Sequence, residues 1–280
     1  MSVTACAWRD QPALSLALPA GDRVVVAIHG AHVLSWCTAD GTERLYLSPE
    51  AVFDGRSAIR GGVPICCPQF NTRGILPKHG FMRNVPWVLE EGNAGSMVFG
   101  LRADDATRAI WPYDFHARLR VALAPQRLHM ALELTNTGHD GFDFSAALHS
   151  YLRVDDIATT RLDGLQGLAR WDAVRDARGV EADAQLRFDA EFDSVYSAAT
   201  GAPAAPLRLV QPAGVLEIAQ SASCTETVVW NPGAVLSAKL GDMPDDGYRH
   251  MLCVEAARID VPVRLAPGAT WTGWQQLTVL

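Results

Sequence analysis

Two consecutive runs of strict alternation constrain this chain most. Phe115, Ala117, Leu119, Val121 and Leu123 fall on one face of an extended segment, with His116, Arg118 and Arg120 on the other. Pro125 and Gln126 then supply a turn, and Leu128, Met130, Leu132 and Leu134 repeat the pattern until Asn136–Gly138. The pair reads as a β-hairpin with one wet face.

The rest of the chain extends that reading. Arg23–His29 is a β-branched run ending at Gly30, and Phe142–Val154 predicts a further strand. Val215–Ala219, Glu226–Trp230, His250–Glu255 and Trp271–Val279 are strand candidates too. Helical signals are few; the clearest is a short segment at Asp242–Tyr248, with a turn as the alternative. Sixteen prolines and 23 glycines are spread throughout, as suits many strands joined by turns. There is no internal repeat, low-complexity tract or linker, and 280 residues suit one all-β domain. The expectation is a single domain over residues 1–280, all-β, a large antiparallel β-sandwich with few short helices.

Charge and cysteine usage exclude several classes. A formal net charge of −7 argues against a nucleic-acid surface or a polybasic membrane anchor. No stretch approaches the ~20 apolar residues that span a bilayer. Arg9 and Asp10 precede any apolar run, so no signal peptide is read and a cytoplasmic location is expected. The six cysteines form no C-x-x-C pair, and adjacent Cys66 and Cys67 cannot both enter one tetrahedral site without strain. They are expected to act as small buried hydrophobes. His29, His32, His116 and His129 lack metal-site spacing, so no metal is expected. Dinucleotide, P-loop and G-x-S-x-G motifs are absent.

Three features carry chemistry. The 28-residue window Arg56–Arg83 holds Arg56, Arg60, Arg73, Lys78 and Arg83 and no acidic residue. It is rich in Gly and Pro, hence mostly loop, and loop-borne guanidinium groups suit a phosphate or carboxylate. A solvated cationic loop is the competing reading. Glu255 lies among Leu252, Cys253, Val254, Ala256 and Ala257, where an ionised carboxylate costs several kcal/mol unless partners offset it. It is either structurally paired or poised to accept a proton. In the Phe142–Val154 run, alternation puts His149 and Tyr151 on the face opposite Phe142, Phe144, Ala146 and Leu148. A histidine ordinarily titrates near neutrality, which suits His149 to proton donation and recovery. His79 and Asp193 sit beside apolar residues, where each needs a partner. Trp230, Asn231 and Pro232 end a strand and read as a turn.

Taken in order, these segments resemble the aldose 1-epimerase superfamily, and within it the hexose-6-phosphate mutarotases. The likeness runs from HGAHVLSW at His29–Trp36 through LYLSPEAVFDGRSAIRGGVPICCP, KHGFMR, ALHSYLRV, VVWNPG and MLCVEAA to LAPGATWTGWQQL. RGGVPICxP followed by HGFxR marks this branch. The resemblance implies a large antiparallel β-sandwich and no cofactor. It makes Glu255 the general base and His149 the general acid, with the base ionised and the acid protonated. His79 and Asp193 hold the sugar, and Arg60 and Arg83 hold the substrate with its phosphate. Gln69, in the loop between those arginines, is a further substrate-contact candidate. The partner implied is a small sugar phosphate, acted on by a monomer.

The chain departs from the family pattern in three places. The aromatic-rich tract is CCPQFN, so Cys67 and Gln69 replace two tryptophans; Ser194 stands where arginine is common; and Ala256 and Ala257 follow the glutamate. These departures bear on sugar specificity. Three other functions stay open on sequence: a mutarotase of unphosphorylated sugars, a non-catalytic sugar-binding protein, and a structural or regulatory protein with a decayed site.

Overall fold

The computed structural model describes residues 3–197 and 205–280, and among these the strands form three antiparallel sheets. The hairpin forms as Phe115–Ala124 and Arg127–Asn136, in register from Phe115↔Asn136 to Ala124↔Arg127. Its apolar face is buried: Leu119, Val121, Leu128 and Leu132 are almost fully excluded from water. Each such side chain contributes about 1.5–3 kcal/mol of transfer free energy. The opposite face differs from expectation. It is half-covered, because Glu90 on the Val88–Gly92 strand takes His116 at 2.8 Å and Arg118 at 3.0 Å.

That hairpin belongs to a nine-stranded sheet, which also holds Ser96–Arg102, Leu207–Gln211, Gly214–Gln220 and Thr270–Val279. An eight-stranded sheet forms the other layer. Toward one edge its strands run in the order Phe192–Ser197, Glu226–Asn231, Met251–Leu265, Phe142–Leu148 and, at the edge, Ile65–Cys66. A four-stranded sheet of residues 4–37 contributes Leu16, Val24, Val26 and Trp36 to the core shared by both layers. The sandwich expected from alternation is the fold observed.

Two local expectations need correction. Of Asp242–Tyr248, only Gly247–His250 winds, as a 3-10 turn, and Pro244 spends its carbonyl on Gly247 N and Ser237 Oγ. Among the described residues the α-helices are instead Asp105–Ile110, with a capping box between Asp104 and Thr107, and Gly233–Ser237. Asn231 begins the latter by accepting from Gly233 N, while its amide donates to the carbonyls of Tyr248 and Met251. Cys66, Cys67, Cys224 and Cys253 are buried as expected, but Cys6 is exposed on the Thr4–Trp8 strand, which leaves most of its side chains in water. Among the described residues no helix is long and apolar enough to cross a membrane.

Candidate active site

The predicted strand Phe142–Val154 is interrupted at His149 and Ser150, giving Phe142–Leu148 and Tyr151–Arg153, both paired to Met251–Leu265. The register on either side is the same, Leu148↔Ala256 before the break and Tyr151↔Cys253 after it. That continuity sets His149 opposite Glu255. The break releases His149 from the ladder, and its N–H donates instead to Pro64 O at 3.0 Å. Tyr151 N donates to Gly62 O, so the Arg60–Pro64 loop is laced to the same residues. Gln275, reaching across from the opposite sheet, repairs the gap: it accepts from Ser150 Oγ and donates to Val254 O.

His149 Nδ1 lies 3.3 Å from Glu255 Oε1, and Glu255 is 1% exposed. The alignment is poor for a hydrogen bond. His149 Nδ1 and Glu255 Oε2 are left buried without partners, which is costly unless a ligand supplies them. Burial pushes His149 well below its ordinary range, helped by His79, Arg83 and Arg60. Burial likewise pushes Glu255 well above its ordinary range, helped by Asp193 and opposed by Arg83. Both directions favour the uncharged forms, a carboxyl beside a neutral imidazole. The resemblance calls for an ionised base and a protonated acid during reaction, which is one proton transfer away from that form. The proton count is unchanged, because carboxyl plus imidazole carries the same single proton as carboxylate plus imidazolium.

The pair opens onto a chamber of about 270 Å³ bordered by His79, Asp193, Trp230, Phe70 and Trp171. Asp193 pairs in register with Trp230, and two strands of the same sheet, Glu226–Asn231 and Met251–Leu265, separate it from the segment that ends beside His149. Burial and Glu191 raise its carboxyl to about 6, against Lys78 and Arg73. His79 comes from the 67–81 connection. It adopts φ +66°, followed by Gly80 at φ +70°, where a Cβ would stand 2.1 Å from the Cys67 carbonyl oxygen. Only glycine fits there, and the tight closure presents His79 to the chamber. Asn71 N donates to His79 Nδ1, which leaves its proton on Nε2. Burial lowers its pKa to about 3.

A second compartment of about 150 Å³ adjoins the first, bordered by Arg60, Lys78, Arg83, Tyr151 and Asp242. Arg60, Lys78, His79 and His149 border both compartments. Arg60 donates to Asp242 Oδ1 and to Tyr151 OH, each at 3.1 Å. Arg83 donates to Lys78 O, and its buried Nε has no partner. Among the described residues neither Lys78 nor Arg83 has an acidic partner. Arg73 is spent elsewhere, on Asp260 and the Ile259 carbonyl.

A sequence model of aldose 1-epimerase matches residues 12–278. The chain belongs to the aldose 1-epimerase family. It is 35% identical over 261 residues to a Cenchrus ciliaris protein provisionally named glucose-6-phosphate 1-epimerase, covering 89% of this chain and 78% of that one. A Salmonella typhimurium protein of the same provisional name is 38% identical over 254 residues, covering 84% and 80%. Among solved structures, one from Salmonella typhimurium described as a provisional mutarotase superposes with a TM-score of 0.89 at 32% identity, covering 99% and 93%.

In this aldose 1-epimerase family member, the sequence-derived residues Arg60, His79, Arg83, His149, Asp193 and Glu255 converge on the two compartments. Gln69 does not. Its amide donates to the carbonyls of Asn71 and Leu76 and accepts from Leu76 N, so it clamps the base of its own loop and borders a different groove. The residues that sequence reasoning passed over are Lys78, Tyr151, Asp242, Ser150 and Gln275. Lys78 and Tyr151 carried a signal, through the cationic window and the shared face with His149. Asp242, Ser150 and Gln275 carried none, since each acts across a distance that only the folded chain closes.

Proposed function

We propose that this chain interconverts the α and β anomers of a hexose 6-phosphate, glucose 6-phosphate in the first instance. The observation that carries the reading is the sharing of walls between an acid–base chamber and a cationic one. A sugar ring in the larger compartment leaves its phosphate facing Lys78, Arg83 and Arg60, whose N–H groups suit phosphate oxygens. The provisional name of the Cenchrus and Salmonella relatives supports the same substrate.

In this mechanism Glu255 takes the proton from the O1 hydroxyl while His149 protonates the ring oxygen, and the C1–O5 bond breaks to give the aldehyde. Rotation about C1–C2 presents the other carbonyl face, and the pair runs in reverse to close the ring. The resting proton must first pass from Glu255 to His149. A phosphate beside Arg60 and Arg83 assists, because those cations otherwise repel an imidazolium. Asp193 and the Nε2–H of His79 hold sugar hydroxyls. Acid–base assistance is worth about 10²–10⁴-fold per group, with positioning supplying the rest. The reaction requires no cofactor.

Saturation-transfer NMR of anomer exchange tests the reading, with glucose 6-phosphate, glucose and galactose in parallel. Acceleration of the phosphate alone, abolished by Glu255→Gln, is expected. Acceleration of the free sugars in preference would turn the reading to a neutral-sugar mutarotase, and no acceleration of any of them would overturn the proposed substrate.

A further inference from the structure

Behind the chamber wall, His149 and Glu255 converge with the buried Cys253. We propose that His149, Cys253 and Glu255 bind a thiophilic divalent cation, Zn²⁺ above all, and that its presence shuts down the acid–base pair.

One nitrogen, one sulfur and one carboxylate oxygen from these residues lie within 4.8 Å of one another, and all three residues are buried. Cys253 and Glu255 are two apart on one strand, so their side chains leave the same face. His149 arrives from the interruption between the two neighbouring strand segments, opposite Glu255. Two of the three residues hold buried polar atoms that lack partners, His149 Nδ1 and Glu255 Oε2. The third brings a thiol that takes no part in the proposed anomerisation.

The donor set selects the metal. His149 and Glu255 border the chamber and Cys253 is buried behind them, so a fourth position faces the chamber as in accessible zinc sites, and imidazole with thiolate suits Zn²⁺ or Co²⁺. Mg²⁺ and Ca²⁺ demand more oxygens than the cluster has. Charge also balances. The cation takes the lone pair of His149 Nδ1, while the Cys253 thiol and the Glu255 carboxyl each release a proton to solvent. One thiolate and one carboxylate then neutralise the divalent charge, and no electron is transferred. Arg60, Lys78 and Arg83 border the neighbouring compartment and oppose entry of a cation, which weakens binding without removing the ligands.

The test uses the full chain carrying Cys6→Ser, which removes the exposed thiol. Titration with Co²⁺ is expected to give one bound cation per chain and a thiolate-to-metal charge-transfer absorption in the near ultraviolet, displaced by Zn²⁺. Adding Cys253→Ala abolishes the absorption, and adding Cys253→Ser, which keeps the side-chain volume, weakens Zn²⁺ binding about tenfold or more. Thermal melts of both variants check that the fold persists. Zn²⁺ suppresses anomer exchange relative to each protein's own metal-free rate, a chelator restores it, and the Cys253 variants resist. The site is overturned if Co²⁺ and Zn²⁺ show no saturable binding, or if binding survives both Cys253 changes. The inhibitory half rests on the proposed roles of His149 and Glu255. Cys253-dependent binding that leaves exchange untouched would keep the metal site and overturn those roles.

Discussion

The ring of Tyr151 lies 4.8 Å from that of His149 and within 10° of parallel, and its hydroxyl accepts a hydrogen bond from Arg60 at 3.1 Å. One side chain therefore touches both the group proposed to donate the proton and a cation proposed to hold the phosphate. Tyr151→Phe keeps the stack and frees Arg60. It is expected to raise KM for the sugar phosphate about tenfold while kcat stays within about twofold. Tyr151→Leu loses the stack and is expected to lower kcat as well. Steady-state exchange rates distinguish the two, and identical losses in both variants would reduce Tyr151 to a packing residue.

The cations are not equivalent. Arg83 has no acidic partner to release, so Arg83→Ala is expected to raise KM for the phosphate about 10–100-fold with little effect on free sugar. Arg60→Ala also loses discrimination, and it strands the Asp242 carboxylate facing the phosphate. Removing Asp242 together with Arg60 is expected to recover part of the loss, which a double-mutant cycle measures.

The pH profile follows from the shared proton. A second proton on the pair ends activity on the acid side, below the ordinary histidine value of 6.5 because His149 is depressed. Loss of the only proton ends it on the alkaline side, above the ordinary carboxyl value of 4.5 because Glu255 is raised. A bound phosphate offsets Arg60 and Arg83 and moves the bell to higher pH. The kcat profile for the sugar phosphate is therefore expected at higher pH than that for free sugar, after allowing for phosphate ionisation near pH ~6. A flat profile from acid to alkali would count against both proton-transfer roles.

Glu255 also weighs on stability. Its folded-state pKa is raised, so the native state holds a proton that the unfolded chain has lost between 4.5 and that higher value. Stability falls as pH rises through this interval. Glu255→Gln removes the titration, so its melting temperature is expected to exceed that of the parent by a margin that widens with pH. Melts across the neutral and alkaline range read this directly.

Gln275 offers a test of positioning at a distance. Gln275→Leu fills similar space and leaves Ser150 Oγ and Val254 O without their partner, at a cost of about 1–3 kcal/mol each when buried. Stability and kcat are expected to fall together with KM little changed. A loss of stability alone would show that His149 holds its place without the clamp.

Most of the architecture was legible because alternation is a local property. The Phe115–Asn136 hairpin and the strand around Glu255 could be read from residues that are neighbours in the chain. The juxtaposition of His149 with Glu255 was reached only through family resemblance, since it depends on a register set by strands far apart in sequence. Gln69 misled for a related reason: its place between two arginines suggested a ligand contact, while its amide is consumed by Asn71 and Leu76. The Asp105–Ile110 helix did carry a local signal, in the Asp104-x-x-Thr107 cap, and was missed for its brevity. Asp242 and Gln275 act from elements with no sequence proximity to what they hold.

His149 and Glu255, proposed to transfer the protons, sit on or beside sheet strands laced to their neighbours, whereas Arg60, Lys78 and Arg83 all ride on one connection between residues 56 and 83. The proposed chemistry and the proposed choice of substrate thereby rest on different side chains, although the connection is bonded to the strands at Gly62, Pro64 and Ile65. Changing the charge at Lys78 and Arg83 alone would alter what the second compartment accepts while leaving the bonds from His149 and Tyr151 to Pro64 and Gly62 in place. A lineage built this way can drift in what it accepts without relearning what it does.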